Sequence, residues 1–278
     1  MSPAVNPSVR VGGMAFGNGV LMRGPHFWAW AAEGREVAYA PVRTFLNRHR
    51  LLRVPFLRSL VSFIEMIVLM ISLHRRNGLR RSARLLAFLA VALVCDLGLA
   101  VVLPYVVHNV LLANVLMAVL VFALGILAMR LALGKTVWRY HGAEHKAVNA
   151  YEGGADLRDL EQVALYSRVH DRCGTNLAVI ALLVTLVSYF VLQSLPLVLG
   201  GVYALLVIAV SLEFFRIIAR RPTSGAGRVF LSGGRALQRS VTTSEPAPEH
   251  LELACAALLC LLDLEAGLRQ PVSGAAPG

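Results

Sequence analysis

Four long, largely apolar runs, at roughly 85–107, 110–132, 176–192 and 197–214, constrain this chain more than any other feature. Each approaches the ~20 residues a helix needs to cross hydrocarbon, and in lipid only helices and closed barrels satisfy their own backbone. "HN" alone separates the first run from the second, and "QSLP" the third from the fourth, so the four runs predict two tight transmembrane hairpins. The composition agrees: 57% hydrophobic, 15% charged and a mean hydropathy of +0.64 fall outside the ordinary soluble range. No basic segment followed by an apolar one opens the chain, so no cleaved signal peptide is expected.

Charge sets the orientation. Of 27 lysines and arginines, 13 lie at or before Arg84, 7 between Arg130 and Arg172, and 7 from Arg216 onward. The hairpin turns near His108 and Ser194 carry none. The positive-inside rule then predicts a multi-pass membrane protein with both termini and the central loop in the cytoplasm. A net charge of +11 has its explanation in that bias, and no specific nucleic-acid binding is predicted.

A fifth apolar stretch, Pro55 to Leu73, carries Glu65 at its centre. Were it to span, eight arginines from Arg10 to Arg58 would lie outside, so it reads as an interfacial or re-entrant helix with Arg75, Arg76, Arg80, Arg81 and Arg84 at the headgroups. The fold class expected is therefore a mainly α membrane protein. Its regions are a cytoplasmic glycine-rich and β-hairpin segment (1–54), the interfacial helix (55–84), transmembrane hairpin 1 (85–132), a cytoplasmic loop (133–175), transmembrane hairpin 2 (176–214) and a cytoplasmic helical C-terminus (215–278).

Within 1–54, "HFWAWAAEGREVAYAPV" alternates large and small residues about Glu33-Gly34-Arg35, the pattern of a β-hairpin. Upstream, "VGGMAFGNGVLMRGP" holds five glycines and reads as a loop of tight turns, or as a clamp in which Arg23 meets an anionic group. It matches neither phosphate-loop nor dinucleotide spacing. Beyond Pro222 a C-terminal helix follows "TSEPAPEH", capped at Thr243 or Ser244, with Leu251, Ala254, Leu258, Leu259 and Leu262 on a face to be buried. The four cysteines show no paired spacing, and Cys255 and Cys260 are expected to pack in that helix.

Candidate chemistry concentrates in the loop 133–175. His141 and His145 stand at i and i+4, on one helical face, with Glu144 before the second histidine. H-x-x-E-H is the inverted zincin order, in which the histidines bind metal and Glu144 is the general base. Zinc or another divalent transition metal needs a further ligand, from His170 or Cys173 in "HDRCGTN", with Glu152 a third candidate. The competing reading is a juxtamembrane helix whose histidines sit at headgroup level. Elsewhere, Asp96 lies within the first span, and Glu213 is expected to pair with Arg216 at i, i+3.

Taken in order, "GGMAFGNGVLMRGP", "PFLRSLVSFIE", "YHGAEHKAVNAYE", "HDRCGT", "EFFRIIAR" and "LQRSVTTSEP" resemble domain-of-unknown-function family 1385, the YqhQ-like bacterial membrane proteins, over about residues 11 to 265. The resemblance implies an integral protein of the bacterial cytoplasmic (inner) membrane and a metal-dependent enzyme. Two positions depart from the family pattern: Asn18 stands where an acidic residue precedes Gly-Val, and Asp171 replaces a proline. Neither touches His141, Glu144, His145, His170 or Cys173.

Three functions follow. The first is a metal-dependent hydrolase facing the cytoplasm. The second is a non-enzymatic accessory subunit of a membrane complex such as the protein translocation and insertion machinery, meeting a membrane-protein, ribosome or translocon partner through its basic side. The third is an ion or small-solute carrier using Asp96, which would require a homo-oligomer. The lipid bilayer is a partner in all three.

Overall fold

The computed structural model describes residues 9–16, 18–42, 54–77, 107–192 and 200–269, with 94, 98, 102 and 106. Asp96, Cys95, most of the predicted first span and the turn at 193–199 lie outside the described residues. The chain divides into two units, each assembled from separated segments.

Unit 1 comprises residues 1–44, 134–173 and 235–278. It opens with an antiparallel sheet of four strands in the order β1 (Gly12–Phe16), β2 (Gly19–Arg23), β3 (Phe27–Ala32) and β4 (Ala38–Pro41). The expected hairpin about Gly34 is β3–β4, and Gly34 takes φ 69°, a left-handed conformation that favours glycine. The glycine-rich stretch differs from expectation: instead of a loop it forms β1 and β2, with Gly13 opposite Met22 and Gly12 opposite Arg23. The glycines weakened the strand pattern, and pairing with β3 supplied what local preference did not.

Register explains the alternation of sizes. Val20 pairs with Ala31 and Met22 with Ala29, so β2 and β3 offer one shallow face. Onto it lies the C-terminal helix, Pro248–Glu265, with Leu251, Ala254, Cys255, Leu258, Leu261 and Leu264 buried in a core shared with the sheet. Trp28 and Trp30 occupy the opposite face. Glu265 closes the far end, accepting from the backbone N–H groups of His26 and Phe27 at 2.8 and 3.0 Å.

The helix starts later than expected. Its N-cap is Ala247 with Pro248 at the first turn, and no side chain caps it. Thr243 instead donates its hydroxyl to Gln238 O at 2.6 Å, and the Ser244 N–H bonds Trp138 O at 2.9 Å. Both residues are engaged by tertiary structure, which overrode the local capping signal. Before them Gln238–Thr242 forms a π-helical turn, a conformation frequent at functional sites.

Unit 2 comprises residues 45–133 and 174–234. In chain order its helices among the described residues include α1 (Leu57–Asn77), the first part of α2 (Val110–Glu152), α4 (Gly174–Leu192), α5 (Gly200–Ile218) and most of α6 (Gly225–Leu237); α3 (Leu160–Ala164) and α7 (Pro248–Glu265) belong to unit 1. The chain leaves unit 2 within α2 at Gly134, whose φ 75° and ψ 167° break the helix. Among the described residues, α2 alone is long and apolar enough to cross a membrane. Leu111, Leu112, Leu127 and Leu131 stand exposed along it, as do Val202 and Leu206 on α5.

Glu213 does not take the expected partner. From α5 it accepts from Ser59 Oγ at 2.6 Å and from Arg58, both on α1, rather than pairing with Arg216 along its own helix. A buried carboxylate needs several donors, and α1, which packs on α5, brings a guanidinium and a hydroxyl together. The α6 helix begins beyond Pro222, within the expected helical region, and Gly234 permits close packing there, since a Cβ on it would lie 2.0 Å from Asn176 Oδ1.

Candidate metal centre

The second half of α2 carries the site. His141 and His145 project from successive turns, their ring centroids 4.4 Å apart, and Cys173 comes to them from the residues just before α4. One donor atom from each of His141, His145 and Cys173 lies within 4.8 Å of the other two, and Cys173 Sγ is 3.3 Å from His141 Nε2. Ligands of one tetrahedral zinc lie about 3.3–3.7 Å apart given its bond lengths, so a small contraction of this triangle would enclose an ion. The donors are sheltered: the His145 side chain is 1% exposed and that of His141 17%.

Both imidazoles are set for ligation by what holds their other nitrogen. His141 Nδ1 lies 2.6 Å from Thr242 O and His145 Nδ1 2.7 Å from Arg168 O. A carbonyl can only accept, so each Nδ1 bears the proton and each Nε2 keeps its lone pair for the centre. Support of this kind orients metal-binding histidines and raises their basicity. Burial also lowers the pKa of His145, against an opposing hydrogen bond to Cys173, and so favours the neutral ring a metal requires.

Gly142, between the ligands, is explained by the same geometry. A Cβ on Gly142 would lie 2.2 Å from Ser244 O, so only glycine lets the segment carrying Thr242 approach His141. Glu144 points into the centre, with Oε2 3.9 Å from His141 Nε2 and 3.7 Å from His145 Nε2. On its other side a Cβ on Gly13 of β1 would lie 2.5 Å from Glu144 Oε1. Burial raises the Glu144 pKa, opposed by His141, His170 and Arg172, so the carboxyl is a better base than an exposed one.

The loop that follows α3 is organised by α2. Lys146 donates to Ala164 O at 2.6 Å, and Asn149 donates to Ser167 O and Val169 O at 2.7 and 3.0 Å. With His145 on Arg168 O, three α2 side chains hold the carbonyls of 164–169 and so deliver Cys173.

Of the three candidates for the further ligand, the structure brings Cys173 into the cluster. His170 stands beside it, its ring 5.8 Å from that of His145, and bonds outward to Glu152 Oε2 at 3.4 Å. Glu152 also pairs with Arg172. Burial works against the Glu152 charge, but hydrogen bonds from His170 and Arg172 prevail and hold its pKa at about 2. Glu152 thus serves the loop rather than the cluster. Arg23 ends β2, opposite Gly12 and Trp28; Glu213 and Arg216 are on α5 in unit 2. Gly13, Gly142, Arg168 and Thr242 contribute without having been assigned a role from the sequence; Gly13, Gly142 and Thr242 lie in the motifs "GGMAFGNGVLMRGP", "YHGAEHKAVNAYE" and "LQRSVTTSEP", and Arg168 in none of them.

A family model described as protein of unknown function (DUF1385) matches residues 54–264 and so takes in every side chain of the cluster. The chain belongs to the DUF1385 family. A relative, the uncharacterized protein YqhQ of Bacillus subtilis (strain 168), is 33% identical over 136 residues, 48% of this chain and 42% of the relative. The chain therefore aligns with less than half of that relative's length. No solved structure matches.

Proposed function

We propose that this DUF1385 member is a multi-pass protein of the bacterial cytoplasmic membrane, with cytoplasmic termini, that holds zinc or a similar divalent metal and hydrolyses a substrate there. The observation that carries the reading is the triangle of His141, His145 and Cys173 donors, with both imidazoles locked in the ligating tautomer. Two nitrogens and a thiolate suit zinc. Three protein ligands leave one position open, the arrangement of catalytic rather than structural sites. When bound, the metal supplies Lewis-acid polarisation and a lowered pKa for water.

The chain's own residues do the rest. Glu144, beside both Nε2 atoms, takes the proton of the attacking water and returns it to the leaving group. Gly13, lacking a Cβ, leaves room for that carboxylate against β1. Thr242 O and Arg168 O keep each imidazole turned toward the centre. The membrane part of the proposal is supported by the length and apolar composition of α2 and by the exposed leucines and valines of unit 2.

Metal content by mass spectrometry of the detergent-purified protein tests the reading. About one equivalent in the wild type, lost in His141→Ala and Cys173→Ala and kept in Glu144→Gln, is expected; hydrolysis across a panel of amide and phosphoester substrates should fail in all three. Metal-free wild-type protein after zinc supplementation would end it. The accessory-subunit and carrier readings rest on charge asymmetry and on Asp96 alone, and Asp96 lies outside the described residues.

A further inference from the structure

The loop that supports His145 has a second role available. While the Arg168 carbonyl holds the imidazole, the Arg168 side chain lines an open cavity of about 540 Å³, also bordered by Lys146, Arg235, Arg239, Asp171 and Glu245. Four cations against two carboxylates leave it with a net positive lining.

How the cavity holds an oxyanion is already visible. Lys146 Nζ, on a side chain only 7% exposed, bonds Glu245 Oε1 at 2.7 Å, and Arg168 Nε lies 3.5 Å from Glu245 Oε2. The Glu245 side chain is 67% exposed, so this anion reaches a buried ammonium from the solvent side and can swing out. Arg168 is anchored independently on Thr243 O at 2.9 Å, and Arg235 on Asp171 Oδ1 at 2.6 Å, so both guanidiniums are preorganised. Arg239 differs. It is exposed on the π-helical turn, lines the same cavity and, among the described residues, makes no ion pair.

We propose that this cavity binds a phosphate-bearing ligand, either a free phosphate compound or a phospholipid headgroup, which displaces Glu245 from Lys146 and Arg168 and engages Arg239. A phosphate offers more oxygens and more charge than the carboxylate it replaces, and guanidiniums meet it in two-point hydrogen bonds. The site is separate from the metal donors and does not require the metal.

The test uses full-length protein. Inorganic phosphate is titrated calorimetrically into the detergent-solubilised chain before and after chelation, with Arg239→Gln and Glu245→Gln alongside. Native mass spectrometry then compares retention of phosphatidic acid and phosphatidylcholine from mixed nanodiscs. Binding that survives chelation, weakens about tenfold in Arg239→Gln and strengthens in Glu245→Gln supports the cavity with a free phosphate ligand. Selective retention of phosphatidic acid with the same order of variants, and no inorganic phosphate bound, supports it with a headgroup. Loss on chelation, indifference to both substitutions, or no binding of either ligand overturns it. Because the deciding titration follows chelation, absence of metal from the wild type would sink the hydrolase reading and leave this one standing.

Discussion

At the residue scale the centre depends on small residues as much as on its donors. Gly142→Ala would push a methyl against the Ser244 carbonyl, and overpacking of this kind costs about 1–3 kcal/mol. Because the displaced segment carries the Thr242 carbonyl, thermal unfolding and metal content should fall together. A variant that unfolds earlier but keeps full metal would separate Thr242 from ligation. Glu152 provides a pH signature. Its folded pKa of about 2 lies below the ordinary 4.5, so between those values the unfolded chain binds a proton that the folded one does not. Its stabilisation is complete above about pH 4.5 and is lost as pH falls toward 2. Glu152→Gln should flatten the acid limb of the unfolding profile in that window; an unchanged slope would assign the limb to other carboxylates.

At the scale of elements, two helices join chemistry to architecture in different ways. In α2 the apolar half and the ligand-bearing half meet at Gly134, whose φ 75°, ψ 167° lies in a region essentially reserved for glycine. Gly134→Ala should therefore cost about 1–3 kcal/mol, read as a lower midpoint of thermal unfolding; an unaffected midpoint would mean that the break is incidental. α7 acts through burial. Leu258, 0% exposed, lies in the core shared with the sheet, and Leu258→Ala should cost about 2–5 kcal/mol. Cys255 in the same core has its thiol pushed up to about 12 by burial, so alkylating reagents should leave it unmodified in the folded protein.

For the molecule as a whole, orientation is the property to measure. If both hairpins cross, single cysteines replacing Asn109 and Ser194 should react with an impermeant maleimide in intact cells, while cysteines at Ser2 and Ala276 should react only after permeabilisation. Labelling of the terminal pair in intact cells would invert the topology and put the metal centre outside the cytoplasm. Each unit gathers segments that lie far apart in sequence, and the His141, His145 and Cys173 cluster falls within unit 1.

What could be read from the residues alone is what short-range geometry decides. A helix repeats every 3.6 residues, so H-x-x-E-H placed His141, Glu144 and His145 together with no knowledge of the fold, and alternation about Gly34 predicted one hairpin. Which of His170 and Cys173 completes the cluster depends on a loop whose carbonyls are held by Lys146, Asn149 and His145, and no local pattern records that. Pairing of the glycine-rich strands, the late start of α7 and the attachment of Glu213 to α1 were decided in the same way, by partners distant in sequence. Periodicity encodes which face of an element is apolar; only the folded chain determines which other element arrives to cover it.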